Sequence, residues 1–223
     1  MTLAYTRNKH QETPWFRWGV FLFGIIVMSF GIALMISADL GSAPWDVLHI
    51  GLTNQFGLTI GSWTIIMGFI LLVLATIMTK EWPRLGAYLN MIFVGVFVDI
   101  FLILLATPEL LVVKICMLVF GIFIMGFGIG IYISPKCGAG PRDSVMLAFS
   151  QKTGASVARV RIFMEVLVLI AGWGLGGPVF VGTILFSILI GHVTGFSLNY
   201  CQKWMDTRIE RKMERRIHVE NIN

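Results

Sequence analysis

Charge is scarce in this 223-residue chain: Asp, Glu, Lys and Arg together make up 13% of it, against roughly 25% in an ordinary soluble domain. So little charge cannot cover a soluble domain of this size, which excludes a soluble enzyme. It also excludes a nucleic-acid-binding domain, despite a net charge of +5 and a pI near 9.3, because basic residues gather in the cytoplasmic loops of membrane proteins. Cysteine is scarce too. Cys116, Cys137 and Cys201 form no CxxC pair and no even-numbered framework, so a disulfide scaffold is excluded and free thiols are expected. His10, His49, His192 and His218 are too scattered for a metal site, and no Ser/His/Asp or Cys/His set stands out. No catalytic residue, metal or cofactor is expected. The string Gly126, Gly128, Gly130 lacks the spacing and preceding strand of a dinucleotide fingerprint, and reads as helix packing instead.

What is present is hydrophobic sequence, 57% of the chain with a mean hydropathy of +0.83. Residues 18–38, 85–98, 115–135 and 166–201 carry no charge. About 20 apolar residues cross a bilayer as a helix, so the sequence predicts an all-α integral membrane protein. Spans are placed near 18–36, 62–79, 85–106, 115–133, 160–177 and 179–200. The fifth is the weakest, with Arg159, Arg161 and Glu165 at its start and several glycines at its end. The polar residues 1–17 do not resemble a cleavable signal, and the first apolar run is expected to stay as a span. With both termini inside, every Lys and Arg except Lys114 falls on the cytoplasmic side, as the positive-inside rule requires.

Sliding the chain by 97 residues aligns 23–75 with 120–172. Matched pairs include Gly24/Gly121, Met28/Met125, Gly31/Gly128, Ser37/Ser134 and Gly57/Gly154. With a shift one residue shorter, Gly86/Gly182, Ile92/Ile188 and Gly95/Gly191 follow. Three spans per copy is an odd number, so the second copy is expected upside down, an architecture that recurs in transporters. The expected organisation is a cytoplasmic segment 1–17, a first three-helix repeat 18–106, an external linker 107–113, an inverted repeat 114–201 and a basic cytoplasmic tail 202–223.

Both copies leave their first span through S-x3-G-x2-P-x-D: Ser37, Gly41, Pro44 and Asp46, then Ser134, Gly138, Pro141 and Asp143. Proline suits the first helical position and an acid two residues on suits the positive helix end. Short helices are therefore predicted over 44–55 and 141–152, either re-entrant or lying on the surface. As re-entrant half-helices they would aim backbone N–H groups at the centre, a site for an anionic or dipolar solute. As simple turns, Gly, Pro and Asp would only cap a helix. Trp45 and Arg142 hold the one unlike position within the motif's Pro-x-Asp core; Arg142 could attract an anion, while Trp45 could only stack or fill space.

This arrangement, Gly41-Ser42-Ala43-Pro44-Trp45-Asp46 after a glycine-spaced first helix, resembles the bacterial YitT/YczE-like membrane protein family, nearest its YczE-type branch. The resemblance covers most of residues 17–202, without the soluble C-terminal domain of YitT-type members. It implies a multi-pass inner-membrane protein and no particular substrate.

Two further ionisable residues fall inside expected spans, where such groups are costly and serve function by default. Asp99 is either a pathway residue or a hydrogen-bonded residue near the outer interface; His192 is either a proton relay or a neutral imidazole bonded to a neighbouring carbonyl or to Asn90. Glu165, four residues after Arg161, reads as half of an intrahelical pair. In the tail, Met205, Ile209, Met213 and Ile217 recur every four residues among basic ones, the pattern of a cationic amphipathic helix on anionic inner-leaflet lipids. The leading expectation is a small-solute transporter or channel whose pathway draws on Gly41, Pro44, Trp45, Asp46, Asp99, Gly138, Pro141, Arg142, Asp143 and His192. The alternative is a non-transporting anchor or accessory partner of a cytoplasmic enzyme or complex.

Overall fold

The computed structural model describes the backbone of residues 14–220 and the side chains of residues 14–208. These residues form eight helices and no strand: α1 (Pro14–Ala38), α2 (Pro44–Phe56), α3 (Ile60–Thr79), α4 (Leu85–Leu104), α5 (Leu111–Ile133), α6 (Pro141–Thr153), α7 (Val157–Gly174) and α8 (Val181–Glu220). Five of them, α1, α3, α4, α5 and α8, are long and apolar enough to cross a membrane. The remaining expected span corresponds to α7, whose 18 residues include Arg159, Arg161 and Glu165. Ile66, Phe69, Ile70, Val73 and Ile77 are exposed along one face of α3. A continuous apolar stripe of that length is at home against acyl chains and not against water.

α1 and α5 run antiparallel at the centre and meet through glycine. A Cβ on Gly31 would overlap the Met125 backbone, and one on Gly128 would overlap the Met28 backbone. Gly24 approaches Tyr132 in the same way, and Gly121 approaches Met35. Adding 97 to one contact of each pair returns the other. Such close approach lets dispersion hold two helices together in lipid, where no hydrophobic force does so.

The other elements surround this crossing. α4 packs on α1 and α8 on α5, while α2 packs on α7 and α6 on α3, so each short helix leans on the other half of the chain. At the ends, Arg17 Nε donates to the Pro135 carbonyl at 2.8 Å, and its repeat equivalent Lys114 pairs with Asp39 at 3.2 Å. The halves differ at one seam. α3 lies along α4 with Gly61 against Gly95, whereas Gly191, the counterpart of Gly95, has open space beside it.

The turns into the short helices are alike in both halves. Asp39 and Lys136 take left-handed backbone (φ 53° and 55°), as do Gly41 and Gly138 (φ 98° and 155°), conformations that glycine adopts without steric penalty. Ala43 and Gly140 are the extended N-cap residues, with Pro44 and Pro141 next. Both helices stop at a glycine with positive φ, Gly57 and Gly154. Each has 13 residues, about 20 Å, well short of the ~30 Å hydrocarbon core. α8 continues through the expected tail helix 202–218; its side chains beyond Arg208, like most of segment 1–17, lie outside the described residues.

Candidate solute site

The first turns of α2 and α6 come together. The Arg142 guanidinium carbon lies 4.8 Å from the centroid of the Trp45 ring, a stacking worth about 2 kcal/mol where water is excluded. Both residues line a cavity of about 140 Å³. All but four of its lining residues (Leu71, Met91, Tyr132 and Asp143) fall into repeat-equivalent pairs, among them Met28/Met125, Met67/Met164, Pro44/Pro141 and His49/Met146.

The two aspartates differ because their surroundings do. Tyr132 Oη donates to Asp143 Oδ2 at 3.1 Å, an interaction worth about 1.5–3 kcal/mol with a charged acceptor. In the other half Met35 stands where Tyr132 does, so no hydroxyl reaches Asp46, whose Oδ2 is buried without a partner. The short helices lie outside the five spanning segments. Burial pushes the Asp46 carboxyl up to about 6 against the pull of Arg142. Burial also raises Asp143, opposed by the Tyr132 hydrogen bond and by Arg161 and Arg142. His49 is held well below the usual histidine range by burial and then by Arg142, so it is a neutral imidazole. Its Nδ1 lies 3.1 Å from Thr64 Oγ1. On α7, Arg161 Nε bonds Glu165 Oε1 at 3.0 Å, the intrahelical pair read from the sequence, and both side chains reach the cavity wall.

Of the candidate residues, Pro44, Trp45, Pro141, Arg142 and Asp143 line the cavity, with Asp46 buried beside them and within Arg142's field. Gly41 and Gly138 shape the turns instead, packed against Thr183 and against Gly86 and Ala87. Asp99 serves the start of α3: it accepts from Thr59 Oγ1 at 2.5 Å and from Gly61 N at 2.7 Å. His192 is exposed on α8 with Nδ1 3.1 Å from the Ile188 carbonyl, and is not part of the cavity wall. Sequence reasoning missed His49, Thr64, Asn90 and Tyr132. His49 had a signal: it follows Trp45 by four residues, which puts both on one helix face.

Apolar helices around a charged interior cavity define an α-helical membrane protein. The chain belongs to a family of unknown function, DUF6198, whose model matches residues 15–199. It is 40% identical over 197 residues to the uncharacterized membrane protein YczE of Bacillus subtilis, covering 88% of this chain and 92% of that one. An uncharacterized protein of Haemophilus influenzae is 35% identical over 81% of this chain and 82% of its own. YyaS of B. subtilis, also uncharacterized, is 30% identical over 75% and 85% respectively. No solved structure matches.

Proposed function

We propose that the protein is a small-solute transporter or channel of the bacterial cell membrane. In this reading α7 is the sixth span, both termini are cytoplasmic, and residues 18–106 and 114–201 are inverted repeats with α2 and α6 as re-entrant half-helices. The observation that carries it is the central cavity, whose wall is built from equivalent positions of both halves and holds Arg142 over Trp45. A cavity assembled in that way lies on the axis relating the halves, where alternating-access transporters place their sites. The reciprocal glycine contacts of α1 and α5 and the exchanged packing of α2 and α6 support the same symmetry. A membrane anchor for a cytoplasmic partner would use the basic tail and needs no polar cavity at its centre, a feature that this alternative leaves unexplained.

A screen of small carboxylates, amines and zwitterions by thermal shift, followed by flux in liposomes, tests the proposal. At least one solute is expected to stabilise the wild type and to cross the membrane, with both effects lost in Arg142→Gln. Stabilisation that Arg142→Gln leaves intact would remove this cavity as the site.

A further inference from the structure

The cavity wall carries charges of both signs. Arg161 and Glu165 satisfy each other, while Arg142 is flanked by the fields of Asp46 and Asp143. A simple anion would be a third negative group around one guanidinium, and a simple cation would meet Arg142 directly. Only a solute with both charges finds a partner for each.

Two deeply buried polar atoms on the wall add chemical detail. His49 and Asn90 are 1% and 6% exposed, both line the cavity, and His49 Nε2 and Asn90 Nδ2 have no protein partner. The Thr64 hydroxyl has one proton and two neighbours, the Ile60 carbonyl at 3.0 Å and His49 Nδ1 at 3.1 Å. The carbonyl can only accept, so the arrangement that satisfies all three groups puts the hydroxyl proton on the carbonyl and the imidazole proton on His49 Nδ1. A neutral imidazole protonated at Nδ1 offers Nε2 as a lone pair. Asn90 Nδ2 offers the opposite, a donor. A buried polar atom left unmatched is costly, and a complementary solute removes that cost.

Resting on the solute-site reading, we propose that the solute is a small amino-acid-like zwitterion with an apolar body. Its carboxylate binds Arg142 and Asn90; its ammonium donates to His49 Nε2. The rest of the wall is soft and apolar: Trp45 and the repeat-related pairs Met28/Met125 and Met67/Met164. Methionine adapts to irregular apolar shapes. The cavity, about 140 Å³, is close to the ~150 Å³ that accommodates benzene, which bounds the whole solute to a small amino acid no larger than leucine.

Calorimetry on the purified full chain at neutral pH, with leucine, 4-methylpentanoate and 3-methylbutylamine as probes, tests this. Leucine is expected to bind, and each single-charge analogue to bind at least about tenfold more weakly, the worth of one charge-assisted hydrogen bond. His49→Leu should weaken leucine by a similar factor and leave 4-methylpentanoate unchanged, a coupling that a merely structural role would not produce. Nitrogen-15 spectra of the wild type should show His49 protonated at Nδ1, a readout that survives if the variant does not fold. Protonation at Nε2, or 4-methylpentanoate binding as tightly as leucine, overturns the zwitterion; if Arg142→Gln abolishes that carboxylate binding, the solute site itself stands. Binding by none of the three also overturns it, and cysteine accessibility at Met67 and Met164, which needs no ligand, then judges the site independently.

Discussion

Trp45 and Arg142 occupy the same position in two repeated segments, 97 residues apart, and their side chains stack on one another at 4.8 Å. Equivalent residues touch only where two related halves meet. In the proposed repeat the pair marks where the halves join, and its two members differ in chemistry. One half contributes an aromatic face and the other a cation, so the site has polarity although its frame is repeated.

The first prediction concerns that pair. Arg142→Gln should weaken solute binding by about 10- to 100-fold, the cost of a lost charge-assisted contact. Arg142→Lys should recover little, since an ammonium lacks the planar fork that both stacks on Trp45 and grips a carboxylate. Trp45→Phe should retain most of the affinity, because a face remains. Calorimetry on the three variants checks the order.

The aspartates should separate by pH. Asp46 holds its proton more tightly when folded, at about 6, than at its ordinary 3.8. The stability this contributes is complete below 3.8 and is lost as the pH rises through about 6. Wild-type stability should thus fall between pH 4 and 7, by at most roughly 3 kcal/mol from this group. Asp46→Asn should remove that dependence and melt higher than wild type at pH 7. Asp143→Asn should gain less, because Tyr132 already stabilises the carboxylate. Melting curves across this range decide it.

Much of this architecture was legible. Hydropathy located the five apolar helices, and the short helices begin at Pro44 and Pro141 as the motif predicts, ending one residue later than expected, at Phe56 and Thr153. Proline and glycine made those bounds legible, since each acts through its own backbone. The exchanged packing of α2 on α7 and α6 on α3 was not legible, because it depends on how separate helices dock. Tyr132 escaped notice for a related reason: within an apolar run it reads as a lipid-facing aromatic, and only the α1–α5 crossing turns its hydroxyl onto Asp143. Asp99 looked identical in sequence to a pathway carboxylate. Its two bonds to the start of α3 arise from the register of α3 on α4, which periodicity does not encode.

Asp99→Asn should accordingly lower stability by about 1 kcal/mol, the scale of a lost helix cap, with solute affinity unchanged. Melting and calorimetry on one preparation test both halves of that statement. Altered affinity at unchanged stability would restore Asp99 as a pathway residue.

The central crossing should be intolerant of a single methyl group. Gly31→Ala and Gly128→Ala each set a Cβ into backbone of the partner helix, and should lower stability by about 1–3 kcal/mol. The two costs should be similar, because the contacts are equivalents. Gly19→Ala and Gly191→Ala, with open space at the added atom, should be near neutral or mildly stabilising in a helix.

The most direct test of a central solute site is aqueous access to the cavity from equivalent positions on both halves. Met67 and Met164 line it at the same repeat position. On a background lacking Cys116, Cys137 and Cys201, Met67→Cys and Met164→Cys should each react with a small membrane-impermeant thiosulfonate in liposomes. The same reagent should modify a cysteine in the 37–61 loop from outside and one in the 134–161 loop only from inside. Reaction at both cavity positions is the result this account predicts. A folded protein in which neither position reacts from either side would have a sealed centre, and would contradict it.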